Sequence, residues 1–333
     1  MNYKPILIVS GEPNSIFLEI FFKILKKYNI KNPLILISSK KILKLQMAKL
    51  KFKKRIRIID YKKLNQYKLD NKFINLIDVE YNQEKAFEKI SNKSNNFIKK
   101  SFDLAFEILK KDSINKMING PISKKNFLRN KFLGITEYIS YKFNKKKTCM
   151  LIYNKKLSVC PITTHLPVKK ITKNINKKIV FEKIKLIDQF YRENFNLVPR
   201  IAVLGLNPHC ESIDNFNEDE KIIKPVIKSL LRNKFNISGP YPADTIFLKD
   251  NRKNFDVIVG MYHDQVLTPI KTLFEYDAIN ITLGLPFIRI SPDHGPNEKM
   301  LGKNLSNPLS LLKAIQFQDK NWLEQKKVWV KIF

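Results

Sequence analysis

The sequence predicts an α/β fold with mostly parallel sheets, because short apolar runs alternate with amphipathic helical segments along most of its length. Residues 5–10 and 33–38 have the length and apolar character of buried strands. Between them, residues 15–28 carry apolar side chains at helical spacing. With 333 residues, 44% of them hydrophobic, the chain is long enough for a large core or for two modest domains.

The predicted elements follow in order along the chain. The strands expected in the first part are residues 5–10, 33–38, 55–59, 73–79 and 114–118. The helices expected there are residues 15–28, 42–50 and 84–111. Residues 149–153 and 157–162 flank the polar turn 154–156, which indicates an antiparallel strand pair.

The second part of the chain alternates in the same way. The expected strands are residues 200–206, 257–260 and 278–283, and the expected helices are residues 179–195, 218–232 and 308–317. We read residues 238–245 as a rigid loop and the tail to residue 333 as a partly formed helix. No repeat or Gly/Ser linker separates domains, so we expect two domains that share an interface: an outer one of residues 1–130 plus 293–333, and a central one of residues 131–292 that carries the metal and substrate residues.

The formal charge of +32 raises the question of nucleic-acid binding. Only eight of the 62 basic residues are Arg, and the Lys residues are scattered along the whole chain. Abundant Lys, Asn, Ile and Phe fit an A/T-rich genome, whereas proteins that read phosphates and bases favour the bidentate guanidinium. We therefore expect a solvated basic surface and no nucleic-acid partner, and a basic nucleic-acid-binding protein remains the alternative from another functional class.

Localisation signals favour the cytoplasm. No apolar run approaches the ~18 residues that span a bilayer, and the first residues lack a signal-peptide layout. The three Cys form no CxxC pair, which indicates a reducing compartment. We expect Cys149 and Cys160 in the core, and Cys210, beside His209, as a packed thiol or alternatively as a metal ligand.

Three histidines each follow an apolar strand: His165, His209 and His263. Because ends of parallel strands share one edge of a sheet, the three imidazoles can converge there. Three neutral imidazoles with an open position make a catalytic site for zinc or a similar divalent ion, and Asp244 and Asp264 are candidates to orient them. The alternative is three separate histidines that each cap a turn.

Lys271, Asn280 and Arg289 supply the cations and the amide that a phosphorylated, carboxylated small molecule requires. Arg289 is the most informative, as one of eight Arg and flanked by apolar residues. The sequence contains neither GxGxxG nor GxxxxGK[ST], so a standard dinucleotide fingerprint and a P-loop are excluded.

These motifs together carry a family resemblance. TTHLP, GLNPH, PADTIF, MYHDQ, INITLGLPFIR and DHG, with GEP near the start and NGP before Lys124, resemble the 4-hydroxythreonine-4-phosphate dehydrogenase family over residues 4–318. The resemblance implies a two-domain isocitrate/isopropylmalate-dehydrogenase-like fold with a cleft between the domains, and a homodimer with the active site at the subunit interface. The implied reaction is NAD- or NADP-dependent oxidation of 4-(phosphooxy)-L-threonine in vitamin B6 biosynthesis, with a divalent metal (zinc, magnesium or cobalt).

The resemblance also assigns residues. His165, His209 and His263 match the metal ligands, and Thr136, Lys271, Asn280 and Arg289 match substrate-binding positions. By the same likeness, the expected cofactor-binding positions are Gly11, Glu12, Asp293, His294 and Gly295. We name Asp244, Asp264 and Lys271 as catalytic candidates, and the sequence leaves the general base open between the two Asp residues.

Some residues depart from the family pattern. Ile135 stands where the family has a His before the substrate Thr, which removes an imidazole from the expected pocket. Asn14, Ser123 and the pair Asn297-Glu298 also differ from the family residues. The alternatives are therefore a dehydrogenase for another phosphorylated hydroxy acid, such as threonate or erythronate 4-phosphate, and a non-catalytic dimeric remnant.

Overall fold

The structure, a computed structural model, describes residues 4–111, 114–128, 131–292 and 294–319. The chain divides into two compact units, the first formed by Met1–Ile135 with Pro286–Phe333 and the second by Thr136–Leu285. The chain therefore returns from the second unit to the first before Arg289, a residue that we had expected in the central domain. The tail that we read as a partial helix, from residue 320 onwards, lies outside the described residues.

The first unit begins with alternating strands and helices, and most residues of its strands are buried, those of the edge strand Ile56–Ile58 excepted. Its strands are β1 (Ile6–Val9), β2 (Leu34–Ser38), β3 (Ile56–Ile58), β4 (Ile74–Asp78) and β5 (Lys116–Asn119). Its helices are α1 (Phe17–Lys27), α2 (Lys40–Lys49) and α3 (Asn95–Lys110). Continuous apolar runs are typical of parallel strands that are covered on both faces.

The second unit contains six strands and the helices that connect them. The strands are β6 (Cys149–Tyr153), β7 (Ser158–Thr163), β8 (Ile201–Leu204), β9 (Ile237–Tyr241), β10 (Val257–Tyr262) and β11 (Ile279–Leu283). The helices are α4 (Ile135–Lys142), whose first residue belongs to the first unit, α5 (Lys177–Phe195), α6 (Lys224–Arg232), α7 (Lys249–Arg252) and α8 (His263–Phe274). Cys149 and Cys160 are buried on β6 and β7, as expected for core thiols.

After β11 the chain returns to the first unit as β12 (Ile288–Pro292) and α9 (Leu309–Gln318). The order of strands in that unit is β3-β4-β2-β1-β5-β12, and every pair is parallel. Arg289 belongs to this unit because β12 pairs with β5, with Arg289 opposite Met117. The chain runs from β1 to β2 on one side while β5 lies on the other, which is the kind of switch point where open sheets bind ligands.

In the second unit the order is β11-β6-β7-β10-β8-β9. Strand β6 is antiparallel to both β11 and β7, which confirms the predicted antiparallel element. The remaining pairs are parallel, with Tyr262 opposite Thr163 and Val259 opposite Val203. Strands β7, β10 and β8 are therefore direct neighbours and end at the same edge of the sheet.

The predicted helix 84–111 is too long, because α3 begins only at Asn95. Side-chain amides hold the backbone before it in a non-helical path. The backbone N–H of Glu88 donates to Asn14 Oδ1 at 2.7 Å, and Gln46 Nε2 donates to the carbonyl of Ala86 at 3.0 Å. These contacts are distant in sequence, so periodicity alone did not reveal them.

The predicted loop 238–245 was also partly wrong, since residues 237–241 form β9. Strand β9 lies at the edge of the sheet, next to β8. An edge strand tolerates Pro240 because only one side of it must supply hydrogen bonds. Among the residues described, no helix combines the length and apolar character needed to cross a membrane.

Candidate active site

The three candidate histidines lie at the carboxyl ends of three adjacent strands. His165 follows β7, His209 follows β8, and His263 is the first residue of α8, directly after β10. Because β10 lies between the other two strands, its histidine occupies the middle position along the sheet edge. Neighbouring strands are ~4.8 Å apart, so one sheet edge presents all three loops.

Backbone strain marks two of these positions. His165 has φ 38° and His209 has φ 55°, which lie in the left-handed region that only a few per cent of residues other than Gly adopt. The next residue, Cys210, has φ 62° and extends the left-handed segment. Such residues cost on the order of 1–3 kcal/mol each and occur most often at functional sites.

Two of the three imidazoles are close together. The ring centroids of His165 and His263 are 5.6 Å apart, with the ring planes at 39°. Within the described ranges, however, no group of three or more His, Cys, Asp or Glu side chains is arranged to hold a metal ion. The structure thus pairs His165 with His263 and does not gather His209 with them, and the three-histidine site stays a prediction.

The environment of His263 fits a metal ligand. Asp264 Oδ1 lies 2.7 Å from Nδ1 of His263. An ionised carboxylate can only accept, so this contact places a proton on Nδ1, and in the neutral imidazole Nε2 then keeps its lone pair. Metal-binding histidines commonly have such a carboxylate behind them. The donor set of three imidazoles therefore suits zinc or a similar divalent ion.

A buried carboxylate that the sequence analysis missed, Asp219, shapes the His209 loop. Its oxygens accept from the backbone N–H of Leu206 at 2.8 Å and of Asn207 at 3.1 Å, and from the Asn207 side chain at 3.0 Å. Asp219 is 0% exposed. The signal available was the Asn207-Pro208 turn after β8, whose N–H groups require an acceptor.

Gln265 connects two of the strand ends. Its Oε1 accepts from the backbone N–H of Met261 at 2.6 Å, and its Nε2 donates to the carbonyl of Gly205 at 2.8 Å. The amide thereby fixes the end of β10 relative to the end of β8. This residue belongs to the MYHDQ motif, and its bridging role requires knowledge of the strand order.

Cys210 is a packed thiol. It is 7% exposed, and burial first, then the charge of Asp219, raises the pKa of its thiol. A thiol with a raised pKa is protonated at neutral pH and is a poor metal ligand. Asp244, an exposed residue after β9, also raises this pKa through its charge, which places it near the His209 loop.

The substrate candidates of the second unit lie on β11 and the helices. Asn280 and Thr282 are two residues apart on β11, so their side chains lie on the same face of the sheet. The Oγ1 atom of Thr282 lies 3.5 Å from Oγ1 of Thr136 on α4. The Oδ1 atom of Asn280 is buried and has no hydrogen-bond partner among the residues described. Such an atom is available to a ligand. Lys271 is exposed in the last turn of α8.

Arg289, on β12 of the first unit, is completely buried. Its Nε donates to Oδ1 of Asn119 at 2.7 Å, and Asn119 is itself 1% exposed at the end of β5. The guanidinium is therefore held at the carboxyl edge of the first sheet. The positioning partner Asn119 belongs to the NGP motif and was not among our candidates.

The predicted cofactor positions also lie at the carboxyl edge of the first sheet. Gly11 has φ 73°, and a Cβ there would lie 2.4 Å from the carbonyl oxygen of Pro121, so the turn after β1 requires glycine. The backbone N–H of Ile16 donates to the carbonyl of Pro296 at 3.1 Å, which joins this turn to the segment of His294 and Gly295. Asp293 lies outside the described residues.

Glu12 is engaged inside its own loop. Its Oε1 accepts from the backbone N–H of Asn14 at 3.1 Å, and its Oε2 accepts from Ser94 Oγ at 2.9 Å. The residue is 1% exposed, and burial is the main cause that raises the pKa of its carboxyl. In this geometry Glu12 stabilises the turn, and a cofactor would meet the backbone of the turn rather than this carboxylate.

Comparisons with known proteins identify the family to which the chain belongs. Residues 29–318 match the sequence profile of the family described as pyridoxal phosphate biosynthetic protein PdxA. The 4-hydroxythreonine-4-phosphate dehydrogenase of Sulfurihydrogenibium sp. is 36% identical over 318 residues, 93% of this chain and 95% of that protein. A protein of Oceanobacillus iheyensis that carries the provisional name D-threonate 4-phosphate dehydrogenase is 30% identical over 333 residues, 95% of this chain and 97% of that protein.

Solved structures give the same result for the fold. The crystal structure of 4-hydroxythreonine-4-phosphate dehydrogenase from Klebsiella pneumoniae superposes with a TM-score of 0.82 at 27% identity, over 96% of this chain and 98% of that chain. Isocitrate dehydrogenase from Methylococcus capsulatus superposes with a TM-score of 0.53 at 8% identity, over 97% and 88% of the two chains, a likeness of fold alone. The expected isocitrate-dehydrogenase-like α/β fold is thereby confirmed.

Proposed function

Because the chain belongs to the family of pyridoxal phosphate biosynthetic proteins named PdxA, we propose that it oxidises 4-(phosphooxy)-L-threonine in pyridoxal 5′-phosphate biosynthesis. The product is a β-keto acid, which loses CO₂ to give 3-amino-2-oxopropyl phosphate. The observation that supports this most directly is the His165–His263 pair, with Asp264 behind His263, at the edge where β7, β10 and β8 end.

A divalent metal and a nicotinamide cofactor are part of the proposal. His165, His209 and His263 would hold the metal, with zinc the best match to three imidazoles and magnesium or cobalt as alternatives. The metal would supply Lewis acidity at the substrate hydroxyl, and NAD or NADP would supply the hydride acceptor. The expected contacts to the cofactor come from the Gly11 turn and the segment of His294 and Gly295.

Four residues would bind and orient the substrate in this proposal. Lys271 and Arg289 would bind its anionic groups, and the fixed fork of Arg289 suits a phosphate or carboxylate. Thr136 would donate a hydrogen bond to a polar group of the substrate or accept one from it. Asn280 has a buried Oδ1 atom that can accept a hydrogen bond. Holding the reacting carbon in one orientation supplies much of the rate. We further propose that the protein acts as a homodimer with its active site at the subunit interface.

A second candidate substrate is D-threonate 4-phosphate. It is supported by the relative from Oceanobacillus iheyensis, 30% identical over nearly the whole chain, and by Ile135, which removes a family imidazole beside Thr136. The two substrates differ at carbon 2, which carries an ammonium group in one and a hydroxyl in the other. Comparing kcat/KM for the two compounds therefore separates the candidates.

The test is formation of reduced nicotinamide from NAD or NADP with each substrate, before and after treatment with a chelator. We expect turnover of 4-(phosphooxy)-L-threonine that the chelator abolishes and that added zinc, cobalt or magnesium restores. Higher kcat/KM with D-threonate 4-phosphate would favour the second candidate. Protein that binds stoichiometric metal and turns over neither compound would contradict both, and turnover that is indifferent to chelator would contradict the metal site.

A further inference from the structure

Glu137 is a carboxylate beside the candidate site that the proposed function leaves without a role. It lies in the first turn of α4, directly after Thr136. Its Oε1 accepts a hydrogen bond from Thr164 Oγ1 at 3.2 Å. Its Oε2 is buried and has no hydrogen-bond partner among the residues that the structure describes. One oxygen is thus fixed and the other is available.

The groups around Glu137 are those of the site. Thr136 contacts Thr282 of β11 at 3.5 Å between hydroxyl oxygens. Thr164 immediately precedes His165, whose ring is 5.6 Å from that of His263. Glu137 therefore follows a substrate-binding position in sequence and accepts a hydrogen bond from the residue that precedes one of the paired imidazoles, all within one compact unit.

A buried carboxylate oxygen without a donor is unfavourable for folding, since burial of an unpaired polar atom typically costs about 1–3 kcal/mol. Native structures keep few such atoms, and a catalytic role is one of the physical reasons for which such an atom is retained. An ionised carboxylate only accepts, so the group that completes this site must bring a proton. A substrate hydroxyl or ammonium group fits that requirement.

The other carboxylates near the histidines fit a base less well. Asp264 is already the acceptor behind His263, and its side chain is 79% exposed. Asp244 is exposed in the loop near Cys210. Among the described carboxylates that we considered for this role, Glu137 alone combines burial with a free oxygen next to a substrate-binding residue.

We propose that Glu137 is the general base of the dehydrogenation, an assignment that rests on the function proposed above. The O–H bond of the substrate carbinol breaks and its proton moves to Glu137 Oε2. The carbinol C–H bond breaks with its electron pair, which reduces the oxidised nicotinamide, and the C–O bond becomes C=O. Alcohol and NAD(P)⁺ thereby give ketone, NAD(P)H and one proton held on Glu137. The hydrogen bond from Thr164 keeps the acceptor oxygen oriented during this transfer.

The experiment compares Glu137→Gln, Glu137→Ala and Glu137→Asp with the control Thr164→Val, which removes the same hydrogen bond and keeps the carboxylate. We expect Glu137→Gln to lower kcat by about 10²–10⁴-fold, while calorimetry shows a substrate Kd close to that of the unchanged protein. Thr164→Val should lower kcat by less than about tenfold, because the carboxylate that accepts the proton is still present. Formate or acetate should restore part of the kcat of Glu137→Ala, since a small carboxylate can enter the space left by the side chain.

Each result either supports or overturns the assignment of Glu137 as the general base. Equal losses in Thr164→Val and Glu137→Gln, or Glu137→Ala that neither formate nor acetate improves, would overturn the assignment and leave Glu137 as a residue that only positions the Thr164 loop. Thermal unfolding identifies a variant that fails to fold. In that case Glu137→Asp, which keeps a carboxylate, must exceed in kcat whichever of Glu137→Gln and Glu137→Ala does fold. Unchanged protein that turns over neither substrate would instead contradict the proposed function. Active unchanged protein with an equally active Glu137→Gln would contradict the base alone.

Discussion

Asp264 Oδ1 lies 2.7 Å from Nδ1 of His263, and the two residues are adjacent in sequence at the start of α8. In the proposed metal site, a strand that ends in His-Asp would supply both a ligand and the group that fixes its tautomer. The side chain of Asp264 is 79% exposed. Its contribution is to orient the imidazole and to keep Nε2 free for a metal.

Asp264→Asn should weaken metal binding by about 10–100-fold, since the amide holds the imidazole less firmly and lowers its basicity. The measurement is competition for zinc against a chromophoric chelator at fixed pH. Asp250→Asn is the control, because Asp250 is an exposed carboxylate that pairs with Lys253 on the surface. Equal zinc affinities of the two variants would contradict the role of Asp264.

Glu19 pairs with Lys23, and Glu220 pairs with Lys224, each as an i,i+4 ion pair within one helical segment. The carboxylate is buried in the first pair and exposed in the second. Glu19 is 1% exposed and also accepts from the backbone N–H of Ser306 at 2.8 Å, which attaches the segment before α9 to α1. Glu19→Ala should lower the free energy of unfolding by about 3 kcal/mol, because it leaves buried donors unpaired. Glu220→Ala should cause no measurable loss, since exposed ion pairs contribute little. Urea denaturation measures both, and similar losses would refute the assignment.

Glu12 should make stability depend on pH in a direction opposite to that of most carboxylates. Burial raises the pKa of its carboxyl above the ordinary 4.5, so between these two values the folded state binds more protons than the unfolded state. Stability then falls as pH rises through this window. The side chain of Gln has no group that titrates in this range. The unfolding free energy of Glu12→Gln minus that of the unchanged protein should therefore increase from about pH 4 upwards and level off above the raised pKa of Glu12.

Denaturation of the two proteins over that pH range checks the expectation for Glu12. The other carboxyl groups are common to both and cancel in the difference. A difference in unfolding free energy that is constant with pH would mean that the pKa of Glu12 is not raised.

Asn119→Ala should destabilise the first unit by about 2 kcal/mol, because it removes the acceptor at 2.7 Å from the buried guanidinium of Arg289. The matched control is Asn233→Ala, where the lost hydrogen bond to the carbonyl of Ser229 is exposed. Chemical denaturation measures both variants. Equal stability of the two would show that other contacts position Arg289.

The sequence was sufficient for most strands because each is a short apolar run whose burial is nearly complete. Strand β1, for example, contains four residues that are all 0% exposed. The alternation of strands with amphipathic helices then predicted parallel pairing. The polar turn 154–156 separated two such runs closely enough to predict their antiparallel pairing.

The errors have a common physical cause, which is contact between residues distant in sequence. Helical periodicity favoured a helix from residue 84, but Asn14 and Gln46 hold that backbone in a loop. Arg289 was assigned to the central domain because it follows β11 closely. Only the pairing of β12 with β5 places it in the first unit.

The candidate site was predictable to the level of strand ends. That His165, His209 and His263 each follow a strand could be inferred, since apolar runs precede each of them. The strand order β7-β10-β8 and the closeness of His165 to His263 could not be inferred, because both depend on which strand lies between the other two. Asp219 and Glu137 were missed because each lies in a segment with helical periodicity, where a carboxylate resembles an ordinary surface residue.

The position of β10 between β7 and β8 has a consequence for synthesis of the chain. Residues 164–256 separate β7 from β10, so a ribosome completes β7, β8 and β9 before the strand that joins them exists. During that interval β7 and β8 each expose a row of unpaired backbone groups, which can pair with other chains. His263 directly follows β10, so it is synthesised immediately after the strand that joins β7 to β8. Pairing of the two imidazoles therefore coincides with closure of the sheet, and a nascent chain released before residue 262 would be both inactive and prone to aggregate.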